Sequence, residues 1–145
     1  MTATTGEQQQ QQQQQQQRTN FGSGGPWEAR VGYSRAVRVG NQVFIAGSTA
    51  VEPATGELVG KGDAYAQAVQ TLKTIRNALE QAGASVEHVV RTRMFVTNIQ
   101  RDWEAIGKAH GEVFGDIRPV ATMVEVKGLI NPDMLVEIEA DAIIA

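Results

Sequence analysis

Two glutamates lie where the chain could use a carboxylate for proton transfer. Residues 134–143, M-L-V-E-I-E-A-D-A-I, alternate as a β-strand does, so Glu137 and Glu139 point to the same side. A carboxylate that faces a cleft from a strand is partly desolvated, which raises its pKa and suits it to move a proton. The alternation does not decide between the two glutamates, and a carboxylate paired with a neighbouring arginine is the alternative interpretation.

Arg93 is a candidate for binding an anionic ligand. It lies in the predicted strand 88–97, and a planar guanidinium can contact a carboxylate through two hydrogen bonds at once. Alternation divides this strand into a set that faces the helices (Thr92, Met94 and Val96) and a set that faces away (Arg91, Arg93 and Phe95). The alternative for Arg93 is an ion pair at a surface or interface, for instance with Glu125 or Glu139.

His110 follows Ile106 by four residues on the apolar stripe of a predicted helix, which favours packing with a satisfied ring nitrogen. A general base or ligand donor at a cleft is the alternative. Gly107 and Gly111, one turn apart, weaken that helix and suggest close approach by a neighbouring element or a bulkier ligand. His88 and His110 lack the spacing of a metal-binding helix, so no metal is predicted.

Composition excludes several other kinds of chemistry. The chain has no cysteine, hence no disulfide and no thiolate nucleophile, which fits a reducing compartment. Its net charge of -3 and its pI near 5.4 argue against a nucleic-acid partner. The sequence shows no nucleophile elbow, no phosphate-binding loop, no membrane-spanning apolar run and no signal sequence. We therefore predict a cytoplasmic protein without a cofactor, a nucleic-acid partner or a membrane partner.

The chain divides into a tail and one domain. Residues 1–26 contain the glutamine tract Gln8–Gln17 and a Gly/Ser-rich stretch, and such a composition predicts a disordered tail. Self-association through polyglutamine is the less favoured alternative. Ordered patterns begin at Trp27, so we place the domain at residues 27–145.

The domain is predicted to be α+β with the order ββαβαββ, one sheet with two helices on one face. Strands are expected at 33–39, 42–47, 88–97, 120–126 and 135–143; helices at 64–82, with Asp63 as N-cap, and from Asp102 to Gly115. Gly40 and Asn41 form the turn of the first hairpin. Alternation places Met123 and other apolar side chains on the face that the helices leave open, and this face calls for a partner subunit.

Four segments resemble one known family. G-Y-S at residues 32–34, V-F-I-A-G-S at 43–48, R-P-V-A-T-M-V-E-V at 118–126 and residues 134–143 together resemble the Rid family of enamine/imine deaminases, also called YjgF or L-PSP. The resemblance runs from about Gly32 to the C-terminus. It implies a chorismate-mutase-like fold, a homotrimer whose sheets face a central barrel, and small-molecule pockets in the clefts between subunits.

The resemblance also assigns site residues. Glu137 matches the acid that holds or activates the attacking water, Tyr33 the tyrosine near the cleft, and Gly47 the glycine whose backbone approaches the ligand. The alternatives are a barrel-lining ion pair for Glu137, a rim residue for Tyr33 and a β-bulge for Gly47. Two positions depart from the family: Gly107 stands where the deaminases have a ligand-binding asparagine, and Ala121 where they have the arginine that grips the substrate carboxylate.

Arg118 lies three residues before Ala121, and an odd offset along a strand points its side chain to the opposite face. It is therefore not a simple substitute, and Arg93 is the better candidate. Two functions remain open: hydrolysis of the C=N bond of a small enamine or imine other than the standard 2-aminoacrylate, or noncatalytic small-molecule binding or scaffolding by a trimer of the same fold. An endoribonuclease activity, attached to some relatives, is disfavoured by the acidic pI and the absence of a histidine pair.

Overall fold

The computed structural model describes residue 6 and residues 17–145. Six strands and three α-helices follow one another in this part of the chain: β1 (Arg18–Phe21), α1 (Pro26–Val31), β2 (Ala36–Val39), β3 (Gln42–Ser48), α2 (Ala64–Gln81), β4 (Val89–Val96), α3 (Ile99–Phe114), β5 (Val120–Glu125) and β6 (Val136–Ile143). A short 3-10 helix, Val86–His88, precedes β4. None of the helices in this described part is long and apolar enough to cross a membrane.

The strands form one sheet in the order β1-β2-β3-β6-β4-β5, antiparallel throughout except for the parallel pair β4 and β5. Helices α2 and α3 pack against each other and against this sheet. The core lies between the two layers, and its largest fully buried side chains include Phe114, Ile75, Leu79, Ile106 and Ile138. The predicted α+β class, the hairpin turn at Gly40 and the N-cap at Asp63 are confirmed.

One element, β1, lies inside the stretch that the sequence assigned to the tail, and helix α1 begins at the last residue of that stretch. Strand β1 pairs with β2 along its whole length, and Phe21 packs against the core. Helix α1 begins with proline, whose fixed backbone suits a first helical turn, and ends at Gly32 in the left-handed conformation. An edge strand is held by backbone hydrogen bonds and needs no apolar repeat, which explains why R-T-N-F gives no strand pattern. Of the glutamine tract, residues 8–16 fall outside the described residues.

Two predicted boundaries are wrong. The first strand of the prediction begins at Ala36 rather than Tyr33. Tyr33 lies outside the strand and donates its N–H to the Glu28 carbonyl after helix α1. Helix α3 begins at Ile99, since Asn98 and not Asp102 is the N-cap; its side chain accepts a hydrogen bond from the Arg101 N–H. Asp102 is a buried residue of the first turn.

The sheet has a face that α2 and α3 do not cover, here called the open face. It exposes apolar side chains from four strands: Val39, Phe44, Val120, Val124 and Ile143. The prediction that Met123 belongs to this face is wrong. Met123 pairs with the buried Met94 in the parallel ladder and packs against the core on the helix side. The open face is apolar nonetheless, and polar side chains are interspersed on it.

Candidate functional site

Glu137 lies on the open face, half-buried and opposite Phe95 of strand β4. Gly47 lies beside Glu137, near the end of strand β3. At this point the pairing of β3 with β6 shifts register, between Ile45 and Ser48. A Cβ placed on Gly47 would stand 3.0 Å from both Cδ and Oε2 of Glu137. The register shift at this point agrees with the bulge considered for Gly47, and the missing side chain leaves room for the Glu137 carboxylate. An approach of the Gly47 backbone to a ligand stays a prediction.

Arg35 joins these residues and was missed by the sequence analysis. Its Nη1 donates to the Gly47 carbonyl at 2.9 Å and to the Ser48 hydroxyl at 2.8 Å. Its guanidinium also lies over the Tyr33 ring, 5.8 Å from the centroid. Tyr33, Arg35, Gly47, Ser48 and Glu137 form what we call the Glu137 cluster. The available signal was the even spacing of Tyr33 and Arg35, which two residues apart in an extended segment share a side.

The charge state of Glu137 depends on its burial and on the charges of Arg35 and Glu139. Burial raises the pKa of Glu137 above its ordinary value, the nearby Arg35 cation opposes the rise, and the Glu139 carboxylate adds to it. Such a carboxylate is a stronger base than an exposed glutamate, which is the property that proton transfer at neutral pH requires.

The raised pKa has a consequence for stability. A carboxyl group whose pKa is higher in the folded state stabilises the fold most when it is protonated, and this contribution is lost as pH rises through the folded-state pKa. We therefore expect Glu137→Gln to raise the melting temperature at pH 7 and to give no such gain below about pH 4, under the ordinary glutamate pKa. Thermal unfolding followed by circular dichroism at both pH values measures this. An equal melting temperature at pH 7 would show that folding does not strain the carboxylate.

Arg93 points to the open face, as predicted, and its guanidinium is paired with two carboxylates. Its Nη1 lies 3.2 Å from Glu139 and 3.4 Å from Asp141. The predicted ion pair with Glu139 is confirmed, whereas the predicted pair with Glu125 is wrong. Glu125 accepts a hydrogen bond from the Ile99 backbone N–H at 3.1 Å instead, because it lies on the helix side, at the start of α3. A ligand-binding role for Arg93 stays a prediction.

His110 packs as the sequence favoured. Its Nε2 shares a hydrogen bond with the Thr92 hydroxyl at 2.8 Å, and its ring lies 4.7 Å from the Phe114 ring. Burial lowers the pKa of His110, which favours the neutral ring. Ala121 pairs with Thr92 in the parallel ladder, on the same side of the sheet as His110. His110, Thr92 and Ala121 form a second group, the His110 group.

Within the described part of the chain, no neighbouring element approaches Gly107 or Gly111, and the alternative of a bulkier ligand stays a prediction. A Cβ at either glycine would meet nothing within 4 Å, so no neighbouring element of the protomer requires the missing side chain. Arg118 is also set apart, because it precedes β5 with φ +57 and lies outside the strand.

The predicted site residues thus fall on opposite faces of one sheet. The Glu137 cluster lies on the open face near the bulge, and the His110 group lies on the helix side near the edge strand β5. A single protomer does not bring the two groups together. In chemical terms, the Glu137 cluster offers a base and a cation, whereas the His110 group offers a hydroxyl, a neutral imidazole and the space beside Ala121.

Fold and site define a class: a small α+β protein whose sheet carries a half-buried glutamate against a glycine bulge, on the face that its helices leave open. The family model described as Endoribonuclease L-PSP matches residues 26–144. The chain therefore belongs to this family, the Rid or YjgF/YER057c/UK114 family. The predicted family and the predicted fold class are confirmed.

Known relatives give the range of similarity. The uncharacterised protein SCO2049 of Streptomyces coelicolor is 40% identical over 121 residues, which are 83% of this chain and 87% of that protein. The 3-aminoacrylate deaminase RutC of Acinetobacter baylyi is 34% identical over 113 residues, 76% of this chain and 85% of the relative. The crystal structure of Rv2704 from Mycobacterium tuberculosis superposes with a TM-score of 0.79 at 48% identity, covering 88% of this chain and 100% of that chain.

Proposed function

We propose that the chain hydrolyses the C=N bond of a small imine, or of an enamine after its tautomerisation, without a cofactor. The observation that carries this proposal is the position of Glu137, a half-buried carboxylate whose pKa burial raises and against which the Gly47 backbone lies. The name of the RutC relative, 3-aminoacrylate deaminase, describes a reaction of this class.

The reaction needs one base that later acts as an acid. Glu137 takes a proton from water while the water oxygen bonds to the imine carbon and the C=N π electrons move to nitrogen. Proton transfers to nitrogen turn it into ammonia as leaving group; the C–N bond breaks, and the remaining hydroxyl loses its proton to give a carbonyl. One imine and one water give one carbonyl compound and one ammonia. A single carboxylate with a raised pKa can serve both steps.

A homotrimer is part of the proposal. The open face exposes apolar side chains from β2, β3, β5 and β6, and exposed apolar faces of this kind are normally buried against a partner. The Glu137 cluster and the His110 group lie on opposite faces of the sheet, so a cleft between two copies is the arrangement that lets one ligand reach both. The predicted cytoplasmic location belongs to the same proposal.

The test is an assay with a freshly generated 2-imino acid. An amino acid oxidase supplies the imine continuously, semicarbazide traps what remains, and the loss of semicarbazone reports hydrolysis. We expect micromolar protein to accelerate hydrolysis above the spontaneous rate. An unchanged rate, with the protein trimeric and folded, would contradict the proposal for this substrate class.

The second candidate is a noncatalytic small-molecule-binding or scaffolding trimer. It is favoured by Ala121, which stands at the position that the resemblance gives to the substrate-gripping arginine and is exposed on the edge strand β5. Losing a charge-assisted two-point contact weakens binding by a few kcal/mol, about 100-fold. A trimer that binds 2-oxo acids without accelerating imine hydrolysis would favour this candidate.

Ala121→Arg separates the two candidates. The new guanidinium would stand on the open edge beside Thr92, and no packed side chain has to move to admit it because Ala121 is exposed. If the rest of the pocket is that of a deaminase, we expect kcat/KM for the 2-imino acid to rise about tenfold or more. Thr122→Arg, one residue along on the opposite side of β5, is the control for added positive charge. Equal rates for both variants and the parent chain would show that the pocket differs in more than this one side chain.

A further inference from the structure

Arg35 has donors that the protein does not use. Of the three guanidinium nitrogens of Arg35, only Nη1 has acceptors among the described residues. These are the Gly47 carbonyl and the Ser48 hydroxyl. Nε and Nη2, the edge that contacts a carboxylate side-on, have no acceptor in this part of the chain. Arg101 shows what that edge does elsewhere in this protein: its Nε and Nη2 both lie 2.9 Å from the two oxygens of Asp102.

The neighbouring arginines are placed differently. Arg93 lies between two carboxylates, Glu139 and Asp141. Arg38 points to the helix side, where it donates to the carbonyls of Gly40 and Ala82. Arg35 carries the charge that acts on Glu137, yet no salt bridge joins the two within the described residues. It is half-buried, so its charge is less screened than that of a surface arginine.

The anchoring of Arg35 fixes it relative to Glu137. Nη1 donates to the carbonyl of Gly47, the glycine whose missing side chain leaves room for the Glu137 carboxylate. Ser48 is held in turn, because its hydroxyl donates to the Ala46 carbonyl at 2.9 Å. The Tyr33 ring covers the guanidinium on one side. Base and cation thus both lie beside Gly47, the residue at the bulge of β3.

We propose that Arg35 binds the carboxylate of the ligand through Nε and Nη2. This inference rests on the proposed function and narrows it: the ligand is a small 2-imino acid or its 2-oxo acid product. With the carboxylate on Arg35, the adjacent carbon is directed to the water at Glu137. Arg35 is then both the specificity determinant and the residue that orients the reacting carbon.

Binding measurements test this inference without requiring turnover. Isothermal titration calorimetry measures the binding of 2-oxobutanoate and of uncharged 2-oxobutanamide to three proteins: the wild type, Arg35→Gln and Arg35→Lys. We expect Arg35→Gln to weaken 2-oxobutanoate binding about 10- to 100-fold and to leave the amide within about twofold, because only the acid offers a carboxylate. Arg35→Lys should bind 2-oxobutanoate only slightly more tightly than Arg35→Gln does, since an ammonium cannot make the two-point contact. Arg91→Gln, which removes one positive charge from the same face, is the control.

Three results would overturn the inference. The first is equal weakening by Arg35→Gln and Arg91→Gln, which would reduce the effect to net charge. The second is wild-type protein that does not prefer the acid over the amide. The third is full recovery by lysine. If Arg35→Gln does not fold, the acid-to-amide preference of the wild type and its loss in Arg35→Lys decide the question. Arg35-dependent binding without imine hydrolysis would reject the proposed reaction and leave this binding site standing.

Discussion

Replacing Glu137 with glutamine is expected to lower kcat/KM for 2-imino acid hydrolysis by roughly 100- to 10,000-fold, the usual contribution of a positioned general base. Glutamine keeps the shape of the side chain and its place against Gly47 but cannot accept a proton from water. The wild-type rate should also fall as pH is lowered through the raised pKa of Glu137, because the protonated carboxyl is not a base. The variant should have lost this acid limb of the pH profile.

Glu139→Gln is the matched comparison for that experiment. Glu139 lies two residues further along β6 on the same face, so alternation alone does not separate it from Glu137. In the structure it pairs with Arg93 at 3.2 Å, and its pairing gives it a structural role on the open face. We expect its variant to stay within a few-fold of the wild-type rate. A large loss of kcat/KM in Glu139→Gln together with a small loss in Glu137→Gln would show that Glu139 is the general base.

The sequence predicted the layers of this fold because burial follows local periodicity. Thr92, Met94 and Val96 are buried, and Arg91 and Arg93 point away, as alternation in β4 required. Met123 shows the limit of the same rule. Alternation says which residues of β5 share a side, but the side itself is set by the register with β4, which places Met123 beside Met94. That register is a long-range property that a single strand does not encode.

The site was predictable only where the family pattern marks it. Glu137, Gly47 and Tyr33 were found through the resemblance, and the structure places all three in one cluster. Arg35 was missed because its importance depends on the bulge in β3, which turns the Gly47 carbonyl and the Ser48 hydroxyl toward it. A register shift of this kind involves partners twelve residues apart and more, and it leaves no periodic trace in the sequence.

The division of the site between two sheet faces has a mechanistic consequence. In the proposed reaction, Arg35 binds the ligand carboxylate and Glu137 activates the water within one protomer, whereas Ala121 lies on the other side of the sheet. The side chain at position 121 can then change which substituent the cleft accepts without removing the base. The rate should depend most on small displacements of the Glu137 carboxylate, and Gly47 is the residue whose missing side chain leaves room for it.

A size series at Gly47 tests that expectation. The Cβ of Gly47→Ala would lie 3.0 Å from Cδ and Oε2 of Glu137, so the carboxylate has to shift by a few tenths of an ångström. Gly47→Val adds two methyl groups and requires a larger shift. Because misplacing a reacting group by about 1 Å costs about 100-fold, we expect losses in kcat/KM of roughly tenfold for alanine and 100-fold for valine. Melting temperatures should change little, since the end of a flexible, half-buried side chain moves rather than the core.

Gly111→Ala is the control for the alanine substitution itself. A Cβ at Gly111 meets nothing within 4 Å, and alanine in place of glycine inside a helix stabilises by about 0.5–1 kcal/mol. This variant should therefore melt at a higher temperature and keep the wild-type rate. Rates that stay at the wild-type level across the Gly47 series would show that the carboxylate can leave its place against the bulge without loss. The geometry of the Glu137 cluster would then not be what positions the base, and the reacting carbon would have to be sought elsewhere on the open face.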